Sequence, residues 1–230
     1  MADTDLVVRQ LAGHPGIDFP VLVPNLKGLQ AAMSAGARSI AVFAAATEAF
    51  SLANLNASRH DAMQRFGDVI AAARSEGITV RGYVSVAVHC PYSGWVDPEE
   101  TRSIAVELHQ RGCREISLCD TTGEATPDKA LAMVRTVSTA IPVEHLAVHF
   151  HDTRGHALDN TEVCLDLGIA TVDSAVAGLG GCPYSPGAKG NLATEKLVAR
   201  LHALGISTGI NEARLASAAE FVRTELRQAA

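Results

Sequence analysis

Short apolar runs alternate with amphipathic stretches of helical length along this chain, and that alternation constrains the fold more than any other feature. Strand-like runs fall at 19–23, 39–43, 79–86, 115–118, 145–149 and 171–176. Helical stretches fall at 4–11, 26–35, 59–75, 98 to about 110, 127–139, 157–167, 191–204 and 212–227, while 44–55 reads as irregular or weakly helical. Gly36, Gly77, Gly112 and Gly168 stop four of the helices, and Pro98 and Pro127 open two others. Brief, nearly all-apolar strands separated by helices imply parallel βα units, whose strands are covered by helices. The pattern expects an α/β fold with six parallel strands in a single domain over 1–230, with no linker, low-complexity segment or repeat beyond the βα period. Polar residues that suit chemistry sit where strands end: Asn25, Glu48, Asp120, His149 and His151. In a barrel of βα units that rim is where active sites are built.

His149 and His151 stand two apart at the end of the run Leu146 to Val148. Alternate side chains of a strand share a face, so both imidazoles point the same way. Two convergent histidines form half of a divalent-metal site, or a pair of satisfied surface or core histidines. Downstream, Ala177-Gly178-Leu179-Gly180-Gly181 is too glycine-rich for regular structure and leads through Cys182-Pro183-Tyr184 to Asn191. Loops carried on a rigid scaffold are frequent homes of function, and Asn191 offers a hard amide oxygen suited to Mg2+ or Mn2+.

The stretches HFHDTRGHALDN and VAGLGGCPYSPGAKGNLATE resemble those of the hydroxymethylglutaryl-CoA lyases, part of a wider group of metal-dependent lyases and synthases on a (β/α)8 TIM barrel. The similarity extends over nearly the whole chain, including Pro24 to Gly28, Arg81 to Ser85 and Glu115 to Thr121. The GGCPY loop is its most specific part, since related condensing synthases have a different loop there. The resemblance implies cleavage of 3-hydroxy-3-methylglutaryl-CoA to acetyl-CoA and acetoacetate, a step of leucine degradation and ketone-body metabolism. It implies His149, His151 and Asn191 as ligands of Mg2+ or Mn2+, and Cys182 as a general acid on a closing loop. Asp120 would position substrate or support proton transfer, and His149 would also shuttle a proton. Asn25, Glu48, Lys189 and Glu195 are implied as substrate contacts, Lys189 toward the phosphates of coenzyme A. Glu195 equally suits a helix first turn as a dipole partner, and Asp152 suits support of a histidine or a helix cap.

The family's opening strand, carrying Arg-Asp-Gly-Leu-Gln, and the next, carrying a Glu, have no counterpart here, so the resemblance covers its last three quarters. An incomplete barrel of about six strands is therefore expected, with Met1 internal to a longer reading frame. Two other readings stay open: a lyase for a related 3-hydroxyacyl-CoA, and an inactive barrel fragment whose exposed edges favour association, as in a homodimer. The chain's 230 residues, 47% of them hydrophobic, suffice for one substantial core. A net charge of −6 without a basic stripe speaks against nucleic acid as a partner, and no apolar run approaches the roughly 18 residues of a membrane span. Five cysteines (90, 113, 119, 164 and 182) without metal-finger spacing suit a reducing, cytoplasmic setting. Cys90, Cys113 and Cys164 read as packing residues.

Overall fold

The computed structural model describes residues 3–11, 13, 14, 16–181 and 190–228. In chain order the elements are α1 (Thr4–Leu11), β1 (Val21–Leu22), α2 (Leu26–Ala35), β2 (Ser39–Ala45), α3 (Glu48–Leu55), α4 (Arg59–Ser75), β3 (Thr79–Ser85), β4 (His89–Cys90), β5 (Gly94–Trp95), α5 (Pro98–Arg111) and β6 (Glu115–Asp120). There follow α6 (Pro127–Ser138), β7 (Leu146–Phe150), α7 (Ala157–Leu165), β8 (Thr171–Asp173), α8 (Thr194–Ala203) and α9 (Glu212–Gln228). Single 3-10 turns precede β7 and follow β8. Six strands form one parallel sheet in the order β1-β2-β3-β6-β7-β8, as the alternation requires, and β1 and β8 are its two ends. It is an α/β half-barrel of the TIM-barrel kind.

The sequence departs from expectation at four places. The stretch read as irregular or weakly helical is the end of β2 followed by a regular helix, α3, whose N-terminus is capped by the Thr47 hydroxyl accepting from the Phe50 N–H. The loop between β3 and α5 contains an antiparallel hairpin, β4 with β5, turned through residues 91–93 and re-entered at Gly94 with φ 78°. The run read as a strand to 176 pairs only as far as Asp173, then leaves the sheet through the turn Val176–Gly178. The following helix begins at Thr194 because Asn191 and Ala193 are held in isolated bridges to His151 and Ala175.

Strand polarity explains both layers. Along β3 the burial alternates, with Val80, Gly82 and Val84 buried and Thr79, Arg81, Tyr83 and Ser85 half-buried. The buried set faces the helices. A Cβ on Gly82 would come within 3.0 Å of Ile116 and 3.2 Å of Cys113, so only glycine allows this approach. The other set faces the barrel interior, which is polar and open to solvent. Over the outer face, α4 buries Ala62, Met63, Phe66, Val69, Ile70 and Ala73, the spacing of one helical stripe. Ser58 caps it, accepting from the Asp61 N–H. Full burial of a side chain such as Phe66 contributes about 2–3 kcal/mol each.

Candidate functional site

A cavity of about 500 Å3 opens at the C-terminal rim of the sheet, walled by Phe43, Tyr83, Ser85, Cys119, Thr121, His149 and His151, with Leu22, Asn54 and Gly181 at its edge. His149, next to last in β7, lies on the inner face with Ala147, and His151 follows two residues on. Their ring centroids lie 5.4 Å apart. Tyr83 meets His149 edge-on, with centroids at 6.5 Å. His151 is fixed by its backbone: its N–H donates to the Asp120 carbonyl, and it bridges to Asn191 across an antiparallel pair. The Asn191 amide donates through Nδ2 to the Leu179 carbonyl at 2.6 Å. Gly190, with φ 110°, lets this segment pass close to the glycine loop. A Cβ there would meet the Gly178 carbonyl at 2.5 Å.

Three buried polar atoms in this cluster lack a hydrogen-bond partner among the described residues: Nδ1 of His149, Nδ1 of His151 and Oδ1 of Asn191. Nδ1 of His149 faces Oδ2 of Asp173 at 3.5 Å, which leaves Nδ1 of His151 and Oδ1 of Asn191. Burying such atoms unpaired costs about 1–3 kcal/mol each, so the two together mark a place suited to a ligand. Burial, then the neighbouring His149, pushes the His151 imidazole down to about 4. It is neutral and carries a lone pair at ordinary pH, the state a metal requires. Two imidazoles and an amide oxygen fit a divalent cation with open positions for oxygen ligands. Among the described residues no group of three or more His, Cys, Asp or Glu is placed to hold a metal, so the fit rests on the amide as third donor.

The remaining sequence candidates divide. Cys182 and Lys189 lie outside the described residues. Asp120, expected in the chemistry, does not face the cavity. Alternation turns Ser117 and Cys119 inward and Asp120 outward, where its carboxylate is fully buried. It accepts from the Ala125 N–H at 3.0 Å and the Thr122 hydroxyl at 3.3 Å, and burial raises its pKa. Its work is to hold the turn 121–125 and thereby Thr121 on the cavity wall. Asp120→Ala is therefore expected to cost about 1–3 kcal/mol of stability by leaving those donors unpaired, and to lower activity in parallel. Asp120→Asn keeps an acceptor and loses less of both. Equal stability but abolished activity in both variants, by thermal melting and assay, would restore Asp120 to the chemistry.

Asn25 is exposed and caps α2, its Oδ1 accepting from the Gly28 N–H at 2.9 Å. Glu48 accepts from the Arg59 N–H at 2.9 Å, joining α3 to α4. Neither lines the cavity. Glu195 accepts from the Ala177 N–H at 2.9 Å and from Arg223 at 3.0 Å, pinning the turn after β8, in which Ala177 takes φ 60°. These three hold backbone near the rim. Asp152 caps α7 through the Ala157 N–H and pairs with Lys196. Cys90, Cys113 and Cys164 are buried free thiols. Cys119 is the thiol in the cavity wall.

Sequence reasoning passed over a polar cluster deeper in the half-barrel. The Arg81 guanidinium donates to Glu115 at 2.5 Å, to Asp173 at 2.8 Å and to the Tyr83 hydroxyl at 2.5 Å. Ser117 donates to Asp173 at 3.0 Å, and Thr171 to Glu115 at 3.1 Å. Burial pushes the Asp173 carboxyl up, but His149 and Arg81 outweigh it and hold it below the ordinary range. The legible signal was a polar residue at every second position of β3 and at Glu115 and Ser117 of β6.

The chain belongs to the HMGL-like family, whose model matches residues 2–222. It is 49% identical over 222 residues to the mitochondrial hydroxymethylglutaryl-CoA lyase of Bos taurus, a match covering 96% of this chain and 68% of that protein. Other relatives are named as cytoplasmic 3-hydroxy-3-methylglutaryl-CoA lyases. The HMG-CoA lyase of Brucella melitensis superposes with a TM-score of 0.95 at 46% identity, covering 99% of this chain and 80% of that one. An HMG-CoA lyase from Acinetobacter baumannii, solved with coenzyme A and 3-methylmalate, gives 0.92 at 32% identity over 96% of this chain and 72% of that one.

Proposed function

We propose that this chain is a carbon–carbon lyase that cleaves 3-hydroxy-3-methylglutaryl-CoA to acetyl-CoA and acetoacetate. The observation that carries the reading is the set His149, His151 and Asn191 at the rim of a half-barrel whose relatives are named for that activity. His149, His151 and Asn191 hold the cation, Mg2+ or Mn2+. When bound, it supplies Lewis acidity toward the substrate's oxygens. The imidazole of His149 cannot bind a cation and take the hydroxyl proton through one nitrogen while its other faces Asp173, so we assign it as a ligand and drop its shuttle role. In the cleavage, the C3 hydroxyl gives its proton to a solvent base, the C3 oxygen forms the ketone carbonyl of acetoacetate as the C2–C3 bond breaks, and the electron pair of that bond becomes the thioester enolate. Cys182 donates the thiol proton to C2, giving acetyl-CoA. Tyr83, Phe43 and Cys119 line the cavity and set the size of the C3 substituent it accepts.

An acyl-CoA is thus the partner molecule, and a homodimer is the assembly we infer. The buried free thiols suit the reducing cytoplasm. No helix among the described residues is long and apolar enough to cross a membrane. The reading is tested by incubating the purified chain with Mg2+ or Mn2+ and a panel of 3-hydroxyacyl-CoAs differing at C3. Preferred turnover of the 3-hydroxy-3-methylglutaryl thioester supports it. Preference for another member replaces the substrate, and no turnover of any by folded protein overturns the lyase. In the same assay Cys182→Ala is expected to lose about 10²–10⁴-fold in turnover and retain Mn2+ binding. Undiminished turnover removes Cys182 as the acid.

A further inference from the structure

We infer that Asp173 is a positioning residue for His149: it holds the imidazole in the tautomer protonated at Nδ1, so that Nε2 presents its lone pair to the cavity. This rests on the proposed lyase site, but its geometry stands apart from it. His149 and Asp173 are paired neighbours across β7 and β8. Both belong to the inner face, and Nδ1 of His149 stands 3.5 Å from Oδ2 of Asp173 with no other partner. A carboxylate can only accept, so the facing nitrogen must be the donor. Asp173 is not free to turn away. Arg81 grips Oδ1 at 2.8 Å from across the half-barrel, and Ser117 donates to Oδ2 at 3.0 Å. Arg81 is itself held by Glu115, its paired neighbour on β6. Four strands thus cooperate to aim one carboxylate at one ring nitrogen. Outer partners of this kind fix ring orientation and raise ligand basicity, and their loss typically costs 10–100-fold in metal affinity.

The test uses metal-free protein labelled with 15N in histidine. Two-bond 15N–1H correlations are expected to show His149 as the Nδ1–H tautomer. In Asp173→Asn the amide is expected to turn its carbonyl to Arg81 and its N–H2 to His149. The tautomer then switches to Nε2–H, and Mn2+ affinity by electron paramagnetic resonance falls about 10–100-fold. Tyr83→Phe loosens Arg81 without touching Asp173 and is expected to keep the tautomer, which separates positioning from general softening of the interior. A wild-type His149 protonated at Nε2 overturns the inference, even if Asp173→Asn fails to fold. So does an Asp173→Asn protein with unchanged tautomer and affinity. If the tautomer behaves as stated while wild-type protein cleaves no acyl-CoA, the lyase reading fails and the role of Asp173 stands.

Discussion

Turnover is expected to fall on the order of a thousandfold when His151 is replaced by Ala, because loss of one of three donors takes away the several kcal/mol that the cation contributes in the transition state. His151 suits this role better than any other residue in the cavity. Its ring is buried and neutral down to about pH 4, and its Nδ1 has no hydrogen-bond partner among the described residues. The substitution leaves its neighbours in place, since the His151 N–H still reaches the Asp120 carbonyl and the backbone bridge to Asn191 needs no side chain. Thermal melting of the metal-free variant is therefore expected to match wild type closely, while Mn2+ binding by electron paramagnetic resonance weakens in step with turnover. Turnover within tenfold of wild type at saturating metal would remove His151 from the ligand set.

The second large effect is on stability. Arg81→Met is expected to cost about 3 kcal/mol, the lower end of the range for breaking a buried ion pair. The carboxylates it leaves behind, Glu115 and Asp173, keep 27% and 19% of their side-chain surface exposed, so water repays part of the loss. The interior is otherwise held by neutral partners: Ser117, Thr171 and Tyr83 cannot neutralise two charges. Urea unfolding should show the lowered midpoint with an unchanged slope. The double variant Arg81→Met with Asp173→Asn should recover part of the loss, because one of the orphaned charges is gone. A single-variant cost below about 1 kcal/mol, the usual worth of an exposed pair, would mean the cluster is solvated rather than structural.

Much of the fold was legible because its signals are local. The six strands, and α4 from Arg59 to Ser75, follow from apolar period, a capping serine and a stopping glycine turn. The convergence of His149 and His151 followed from their spacing alone. What sequence could not supply was register. Asp120 and Cys119 are adjacent, and only the pairing of β6 with β3 and β7 decides which of them faces the cavity. The carboxylate looked chemical, and in the structure it accepts from the Ala125 N–H and the Thr122 hydroxyl, holding a turn. Asn25, Glu48 and Glu195, implied as substrate contacts, accept from the backbone N–H groups of Gly28, Arg59 and Ala177 and do not line the cavity: an acceptor beside unpaired N–H groups is drawn to them. Asp173 was missed because β8 is three residues long, too short for alternation to stand out, and its partners lie 24 to 92 positions away in sequence.

The central claim, cleavage of the C2–C3 bond by this chain, is read most directly from 13C NMR of 3-hydroxy-3-methylglutaryl-CoA labelled at C2. With Mg2+ or Mn2+ present, the label is expected to move entirely into the methyl group of acetyl-CoA, with unlabelled acetoacetate in equal amount, and to stay in the substrate when the cation is chelated. Label appearing in free 3-hydroxy-3-methylglutarate, which would mark thioester hydrolysis, or label left in the substrate by folded, metal-loaded protein, would contradict it.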